Sequence, residues 1–125
     1  MNGAASILIV EDNEANQLLV SAVLERAGYR VELAGSSEEA IERLSSHAPD
    51  LILMDVQLPG LDGLSLTRRL KADRRTAAIP VVALTALAMA GDKQRTIDAG
   101  CAGYISKPIN TRTFAAEVGT FLPHA

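Results

Sequence analysis

Short apolar runs alternate with longer segments whose apolar residues recur at helical spacing, and this alternation repeats five times along the chain. Repeated β-α units around a parallel sheet produce this pattern, because central parallel strands are covered on both faces and read as continuous apolar runs. The first, third and fourth runs are apolar throughout. The predicted strands are residues 7–10, 30–34, 51–54, 81–84 and 103–106.

Five helices are predicted between and after these strands. Residues 14–27 have an apolar face and end at Gly28, which supplies a C-terminal stop. Ser36 followed by Glu39 is a capping box for the second helix, and Pro49 forbids its continuation. The other helices are predicted over residues 63–72, 89–99 and 111–122. The predicted inward face of the first helix consists of Ala15, Leu18, Leu19, Ala22 and Val23.

Length and composition indicate one α/β domain over residues 1–125, with a core of about residues 6–122 and no room for an output domain. With 48% hydrophobic and 22% charged residues and a net charge of -3, the chain should fold as a soluble protein without a footprint for nucleic acid. No apolar stretch approaches the roughly 20 residues of a membrane span, and no signal peptide is visible, so a cytoplasmic location is expected. Cys101, the only cysteine, is predicted to be a packed side chain.

Polar residues stand at the ends of four predicted strands. Glu11 and Asp12 follow the first strand, Asp55 the third, Thr85 the fourth and Lys107 the fifth. The carboxyl ends of parallel strands share one edge of the sheet, where a topological switch point opens a crevice for ligands. We therefore expect these five side chains to converge.

Each of these residues alone has an ordinary explanation, either as a helix or turn cap or as a solvated charge. Three converging carboxylates are harder to explain, because two unit charges about 4 Å apart repel by ~4 kcal/mol at an effective dielectric near 20. A bound divalent cation would relieve that repulsion. Hard oxygen ligands with room for water and phosphate favour Mg²⁺ over Zn²⁺.

The motifs at these strand ends resemble those of the receiver domains of two-component response regulators. The resemblance spans roughly residues 6–122, and it is specific because order, spacing and chemistry agree at four separate places. It implies a doubly wound, flavodoxin-like α/β fold, in which a five-stranded parallel sheet of order 2-1-3-4-5 is flanked by five helices. The motifs are VEDN at residues 10–13, MDVQLPGLDG at 54–63, ALTA at 83–86 and SKP at 106–108.

The resemblance implies that Asp55 is a phosphoacceptor that works with Mg²⁺. Asp12, the Asp55 carboxylate and the backbone carbonyl of Gln57 would bind the metal directly, and Glu11 would act through a water molecule. The phosphoryl donor would be a sensor histidine kinase or a histidine phosphotransfer protein. Asp55 would act as a covalent nucleophile, and neutralisation of charge would supply most of the catalysis.

The resemblance also assigns the residues around the phosphoryl group. Thr85 and Lys107 would bind its oxygens, and Ala86 would leave room for it to enter. Gln57 and Leu87 would influence attack of water on the acyl phosphate. Because Leu87 cannot orient a water by hydrogen bonding, the phosphorylated state is predicted not to be unusually short-lived.

Signal output is predicted to run through Tyr104, although an aromatic residue in an edge strand is ordinarily a packing residue. By resemblance, Thr85 would move toward the phosphoryl group and Tyr104 would rotate inward behind it. This switch would change the surface of the fourth helix, fifth strand and fifth helix, which controls a partner protein. Lys107 and Pro108 would be joined by a cis peptide bond. Neither nucleic acid nor a membrane is an expected partner.

Two other classes of protein compete with this interpretation. A phosphatase of the haloacid dehalogenase type uses similar groups, but its nucleophile is followed two residues later by a second acid, where this chain has Gln57. A nucleotide-binding module would need a glycine-rich loop where Glu11 and Asp12 stand. A switch is therefore predicted rather than an enzyme of turnover. The TALAMAGD stretch at residues 85–92 resembles single-domain receivers of the cell-cycle type, and receivers excised from hybrid kinases look alike.

Overall fold

In a computed structural model, which describes residues 4–58, 62–86 and 90–122, the predicted strands form one parallel sheet. These are β1 (Ser6–Val10), β2 (Arg30–Ala34), β3 (Leu51–Asp55), β4 (Val81–Thr85) and β5 (Gly103–Ser106). Their order in the sheet is β2-β1-β3-β4-β5, so the doubly wound fold expected from the sequence is confirmed. The chain reverses direction across the sheet between β1 and β3, which opens the switch point for a ligand.

Two of the candidate site residues belong to the strands themselves. The predicted third and fourth strands stopped at Met54 and Leu84, where the apolar run ends, but the ladder continues for one more residue in each. Asp55 pairs with Leu84, and Thr85 pairs with Ser106. Because strand pairing fixes the backbone at both residues, the Cβ positions of Asp55 and Thr85 are held in place.

Three of the helices begin at capped residues, and most of the predicted helix bounds are confirmed. Asn13, Ser36 and Asp62 accept hydrogen bonds from the backbone N–H three residues ahead of each. The fifth helix is shorter than the predicted 111–122, and residue 89 lies outside the described chain. No described helix is long and apolar enough to cross a membrane. The helices are α1 (Glu14–Arg26), α2 (Ser37–Ser46), α3 (Gly63–Ala72), α4 (Ala90–Ala99) and α5 (Phe114–Gly119).

The predicted inward face of α1 was wrong except at Val23, which is half-buried against the core. Leu18 and Leu19 are 64% and 44% exposed, whereas Val20, Ser21 and Leu24 are buried. Ser21 can occupy the core because its hydroxyl donates to the backbone carbonyl of Gln17 at 2.6 Å. The buried face of α1 therefore contains a polar residue whose hydroxyl is hydrogen-bonded. Leu18 and Leu19 form an apolar stripe on the surface, called the α1 stripe below.

The core lies on both faces of the sheet. On one face, Ile52 and Met54 pack with Leu66 and Leu70 of α3. On the other, a cluster from α1, α5 and alternate strand residues surrounds Phe114, which is fully buried. Cys101 is a free, buried thiol in the first cluster, as predicted, and its burial raises its pKa.

Candidate functional site

Side chains from four strand ends converge at the carboxyl edge of the sheet. One carboxylate oxygen from each of Glu11, Asp12 and Asp55 lies within 4.8 Å of the other two. The Lys107 Nζ lies 3.1 Å from Glu11 Oε1 and 3.2 Å from Asp55 Oδ2. Thr85 is buried at the end of β4, and its backbone carbonyl accepts from the Lys107 N–H at 2.8 Å. The structure thus brings together the five residues that the strand ends predicted.

Asp55 is held tightly from several sides. It is 5% exposed, and its Oδ1 accepts from the Gln57 backbone N–H at 3.0 Å while its Oδ2 faces Lys107. Gly63, at the start of α3, approaches so closely that a Cβ there would collide with the Asp55 carbonyl oxygen and would lie 2.9 Å from Met54 Cγ. Glycine at this position is therefore what allows α3 to begin against the end of β3.

Glu11 is positioned by a set of hydrogen bonds that sequence reasoning missed. Its side chain is 1% exposed and accepts from the Asn13 backbone N–H at 3.1 Å. Its backbone carbonyl accepts from the Gln17 side-chain amide at 2.6 Å, and its N–H donates to the carbonyl of Ala34 at 2.9 Å. The only signal for Gln17 in the sequence is a polar residue on the buried side of α1, and recognising it requires the correct helix face.

The electrostatics of the site reflect an excess of buried negative charge. Burial raises the pKa of Glu11 above its ordinary 4.5, and the neighbouring Asp55 carboxylate raises it further. Burial alone would lower the pKa of Lys107, but Glu11 and Asp55 outweigh it and the pKa lies above 10.5. One ammonium therefore faces two buried carboxylates, and the exposed Asp12 belongs to the same acidic cluster.

The donor set fits a hard divalent cation. Three carboxylates supply oxygen ligands, and the exposed Asp12 opens the cluster to solvent, so that water and phosphate oxygens can complete the coordination. A soft metal would require thiolate or imidazole ligands, and the cluster contains neither. The role predicted for the Gln57 carbonyl remains a prediction.

Of the other predicted positions, Tyr104 belongs to β5, and Ala86 and Pro108 follow β4 and β5. The Lys107–Pro108 peptide bond is cis, as expected. Tyr104 is half-buried, with the Lys93 Nζ 5.5 Å from its ring centre. Ala86 is exposed next to Thr85. Leu87, and residues 59–61 of the longest motif, lie outside the described chain.

An apolar cavity of about 320 Å³ adjoins the cluster. Its walls include Glu11 and Lys107 from the site, Leu19 from α1, and Ala86 and Pro108 from the loops that follow β4 and β5. It connects the exposed apolar stripe of α1 with the charged residues.

The chain is similar to known proteins over nearly its whole length. Residues 7–119 match the response regulator receiver domain. The chain is 45% identical over 120 residues to the polar-differentiation response regulators DivK of Brucella ovis and Brucella suis, which covers 96% of this chain and 98% of each relative.

Two solved structures show the same architecture. A putative response regulator from Chloroflexus aurantiacus superposes with a TM-score of 0.90 at 32% identity, covering 94% of this chain and 97% of that one. The receiver domain of the sensor histidine kinase PA1611 from Pseudomonas aeruginosa has a TM-score of 0.86 at 36% identity, covering 95% and 98%. That receiver domain was crystallised with a magnesium ion coordinated in its active-site cleft.

Proposed function

Because the chain belongs to the family of response regulator receiver domains, we propose that it is a phosphorylation-dependent signalling switch whose phosphoacceptor is Asp55. The family predicted from the strand-end motifs is confirmed. Its members are phosphoacceptor switches rather than classical enzymes. The identity to polar-differentiation regulators favours the cell-cycle type over a receiver excised from a hybrid kinase.

The placement of Asp55 carries this proposal. Its carboxylate is a buried nucleophile that faces one ammonium and lies within a cluster of oxygen ligands. In-line attack by an Asp55 oxygen on the phosphorus of a phosphohistidine forms the new P–O bond as the P–N bond to the imidazole breaks. Because positioning and charge neutralisation supply most of the catalysis of such a transfer, few further groups are needed.

The neighbouring residues neutralise and orient the incoming group. Bound Mg²⁺ would neutralise negative charge at the site. Asp12, Asp55 and the Gln57 carbonyl would hold it directly, and Glu11 would act through a water molecule. Lys107, which now spans Glu11 and Asp55, would turn its ammonium to a phosphoryl oxygen.

Thr85 and Ala86 would complete the phosphoryl site. The Thr85 hydroxyl would donate to another phosphoryl oxygen from its fixed place at the end of β4. The small, exposed Ala86 leaves the entrance open.

The phosphoryl donor is a sensor histidine kinase or a histidine phosphotransfer protein. Leu18 and Leu19 present an exposed apolar surface next to the cavity that leads to Lys107. A donor that covers this α1 surface would bring its phosphohistidine to the edge where Asp55 lies, and burial of the leucines would contribute to its affinity.

Output would depend on Tyr104 and the surface of α4, β5 and α5. Tyr104 is half-buried and packs beside the core, so an inward rotation toward Thr85 would bury more of its ring. A partner that prefers the rotated state would bind the phosphorylated protein more tightly, which is a population shift.

The alternative function, a phosphatase of the haloacid dehalogenase type, requires a second acid two residues after the nucleophile. Gln57 occupies that position, and its backbone N–H is bound to Asp55. Incubation with p-nitrophenyl phosphate and Mg²⁺ separates the two functions, since a phosphatase turns over many substrate molecules and a switch does not.

Beryllofluoride, a phosphoryl mimic, provides the direct test. With Mg²⁺, wild-type protein should bind it with one-to-one stoichiometry, and the amide resonances around Asp55 and Tyr104 should shift. The Asp55→Asn variant should not bind. Asp98→Asn, a matched change at an exposed residue of α4, should bind like wild type. Equal binding by the Asp55 variant would overturn the assignment.

A further inference from the structure

A narrow cleft lies between α2 and α3, and no residue of the acidic site lines it. Its volume is about 130 Å³, and its apolar floor is formed by Leu44, Leu66 and Leu70. Ile41 stands at its edge and is 37% exposed, one of four large hydrophobic residues exposed in the described chain. The cleft could accept one aliphatic side chain.

The rim of this cleft belongs to the most basic stretch of the sequence. Residues 68–75 contain five basic residues and one acidic residue, a net charge of +4 in a chain whose total is -3. Arg69 and Arg75 line the cleft, whereas the other exposed arginines of the stretch, Arg68 and Arg74, do not. Positive charge is therefore concentrated beside an apolar opening.

The two arginines of the rim differ in their partners. Arg75 is paired with Asp73, which also lines the cleft, through an Nη2–Oδ2 distance of 3.2 Å. Arg69 makes no hydrogen bond or ion pair with any residue that the structure describes. Lys71 of the same stretch is already committed, since its Nζ donates to the carbonyls of Ala77 and Ile79. Arg69 is thus the cation at the cleft that is available to a ligand.

We propose that the α2–α3 cleft docks an acidic segment of another protein. One aliphatic side chain of that segment would enter between Ile41 and Leu70, and its carboxylates would pair with Arg69 and with the outer edge of Arg75. The charge of the stretch selects an acidic partner, because a basic segment would be repelled by the same field. The apolar floor distinguishes the cleft from a merely solvated basic surface.

The test uses nitrogen-15-labelled full-length protein and a short synthetic helical peptide in which Glu residues surround a single Leu. At physiological salt and without any phosphodonor, the peptide should shift the amide resonances of Ile41, Leu44 and Arg69 in a saturable manner. Arg69→Ala should weaken binding by about two- to five-fold, since an exposed ion pair contributes up to about 1 kcal/mol. Ile41→Ser should weaken it by about three-fold or more.

Matched controls separate docking from general attraction. Arg68→Ala and Arg74→Ala remove the same charge from the same stretch but lie outside the cleft, and screening over about 8 Å should limit their effects to less than about two-fold. A peptide with Ser in place of Leu should bind more weakly than the parent peptide. Each variant is first checked for an unchanged thermal unfolding midpoint.

Four results would overturn the proposal. These are equal weakening by all three arginine variants, resonance shifts on the α1 stripe instead of the cleft, no saturable binding, and self-association of the free protein that Arg69→Ala abolishes. The last would make a second copy of this chain the occupant. Because no phosphorylation is involved, a negative outcome leaves the assignment of Asp55 untouched.

Discussion

Replacing Asp55 by Asn should stabilise the protein against unfolding when no divalent cation is bound. One carboxylate oxygen from each of Glu11, Asp12 and Asp55 lies within 4.8 Å of the other two, and the Lys107 ammonium faces Glu11 and Asp55. Asparagine has nearly the same shape as aspartate, and its carbonyl oxygen can accept the Gln57 N–H as Asp55 does. The substitution therefore removes charge while it preserves packing.

The pairwise charge interactions of Asp55 nearly cancel. Loss of the attraction to Lys107 at 3.2 Å costs about 5 kcal/mol at an effective dielectric near 20. Relief of the repulsion from Glu11, within 4.8 Å, returns at least about 3.5 kcal/mol. Asp12 is exposed, so solvent screens its repulsion of Asp55 to roughly 1 kcal/mol.

Desolvation then decides the sign. Asp55 is 5% exposed, and burying a charge costs several kcal/mol, which the neutral amide largely avoids. We expect a net stabilisation of about 1–3 kcal/mol after partial relaxation of the site. In a domain of this size, each kcal/mol raises the unfolding midpoint by about 3–5 °C.

The assay is thermal unfolding of wild type and Asp55→Asn in EDTA and across a Mg²⁺ titration. In EDTA the variant should unfold at the higher temperature. Mg²⁺ at 100 times its dissociation constant should stabilise wild type by about 2.7 kcal/mol and the variant by less, so the difference should shrink or reverse. Asp98→Asn should follow wild type throughout. If the Asp55→Asn variant were less stable than wild type in EDTA, the claim that this site holds an excess of buried negative charge would be refuted.

Three further predictions follow from the same site. A proton on Glu11 should compete with the cation, because its pKa is raised above 4.5, so the affinity for Mg²⁺ measured by calorimetry should increase as the pH rises above 4.5; a flat profile would contradict this. Gly63→Ala should destabilise the fold by about 2–4 kcal/mol in urea unfolding, because its Cβ would collide with the Asp55 carbonyl, whereas Gly35→Ala, with 3.4 Å of clearance, should cost less than about 1 kcal/mol. Leu87→Glu should alter the decay rate of the phosphorylated protein, followed by intact mass; unchanged decay would exclude an influence of this position on water attack.

The candidate site could be predicted from the sequence because parallel strands carry their ends to one edge. Polar residues directly after apolar runs, such as Asp55 and Thr85, are visible without a structure. Their backbone pairing was not, because a polar residue ends the apolar pattern although the ladder continues.

The face of α1 could not be predicted by counting apolar residues. The stripe with the most leucines, including Leu18 and Leu19, is exposed, and the buried face includes Ser21 and the half-buried Gln17. Burial of these polar residues depends on hydrogen bonds to particular backbone carbonyls, including that of Glu11, which only the folded chain reveals. An exposed apolar stripe has the same spacing as a core stripe, so periodicity cannot distinguish them.

The most direct test of the central claim is to locate the acyl phosphate. Protein incubated with acetyl phosphate and Mg²⁺ is reduced with borohydride, which converts a phosphoaspartate to homoserine, and the modified peptide is sequenced by mass spectrometry. We predict one phosphoryl group per chain, located at Asp55, and none in Asp55→Asn or in wild type with EDTA. A modification that maps to another residue in wild type, or that persists in Asp55→Asn at the same stoichiometry, would contradict the assignment of Asp55 as the phosphoacceptor.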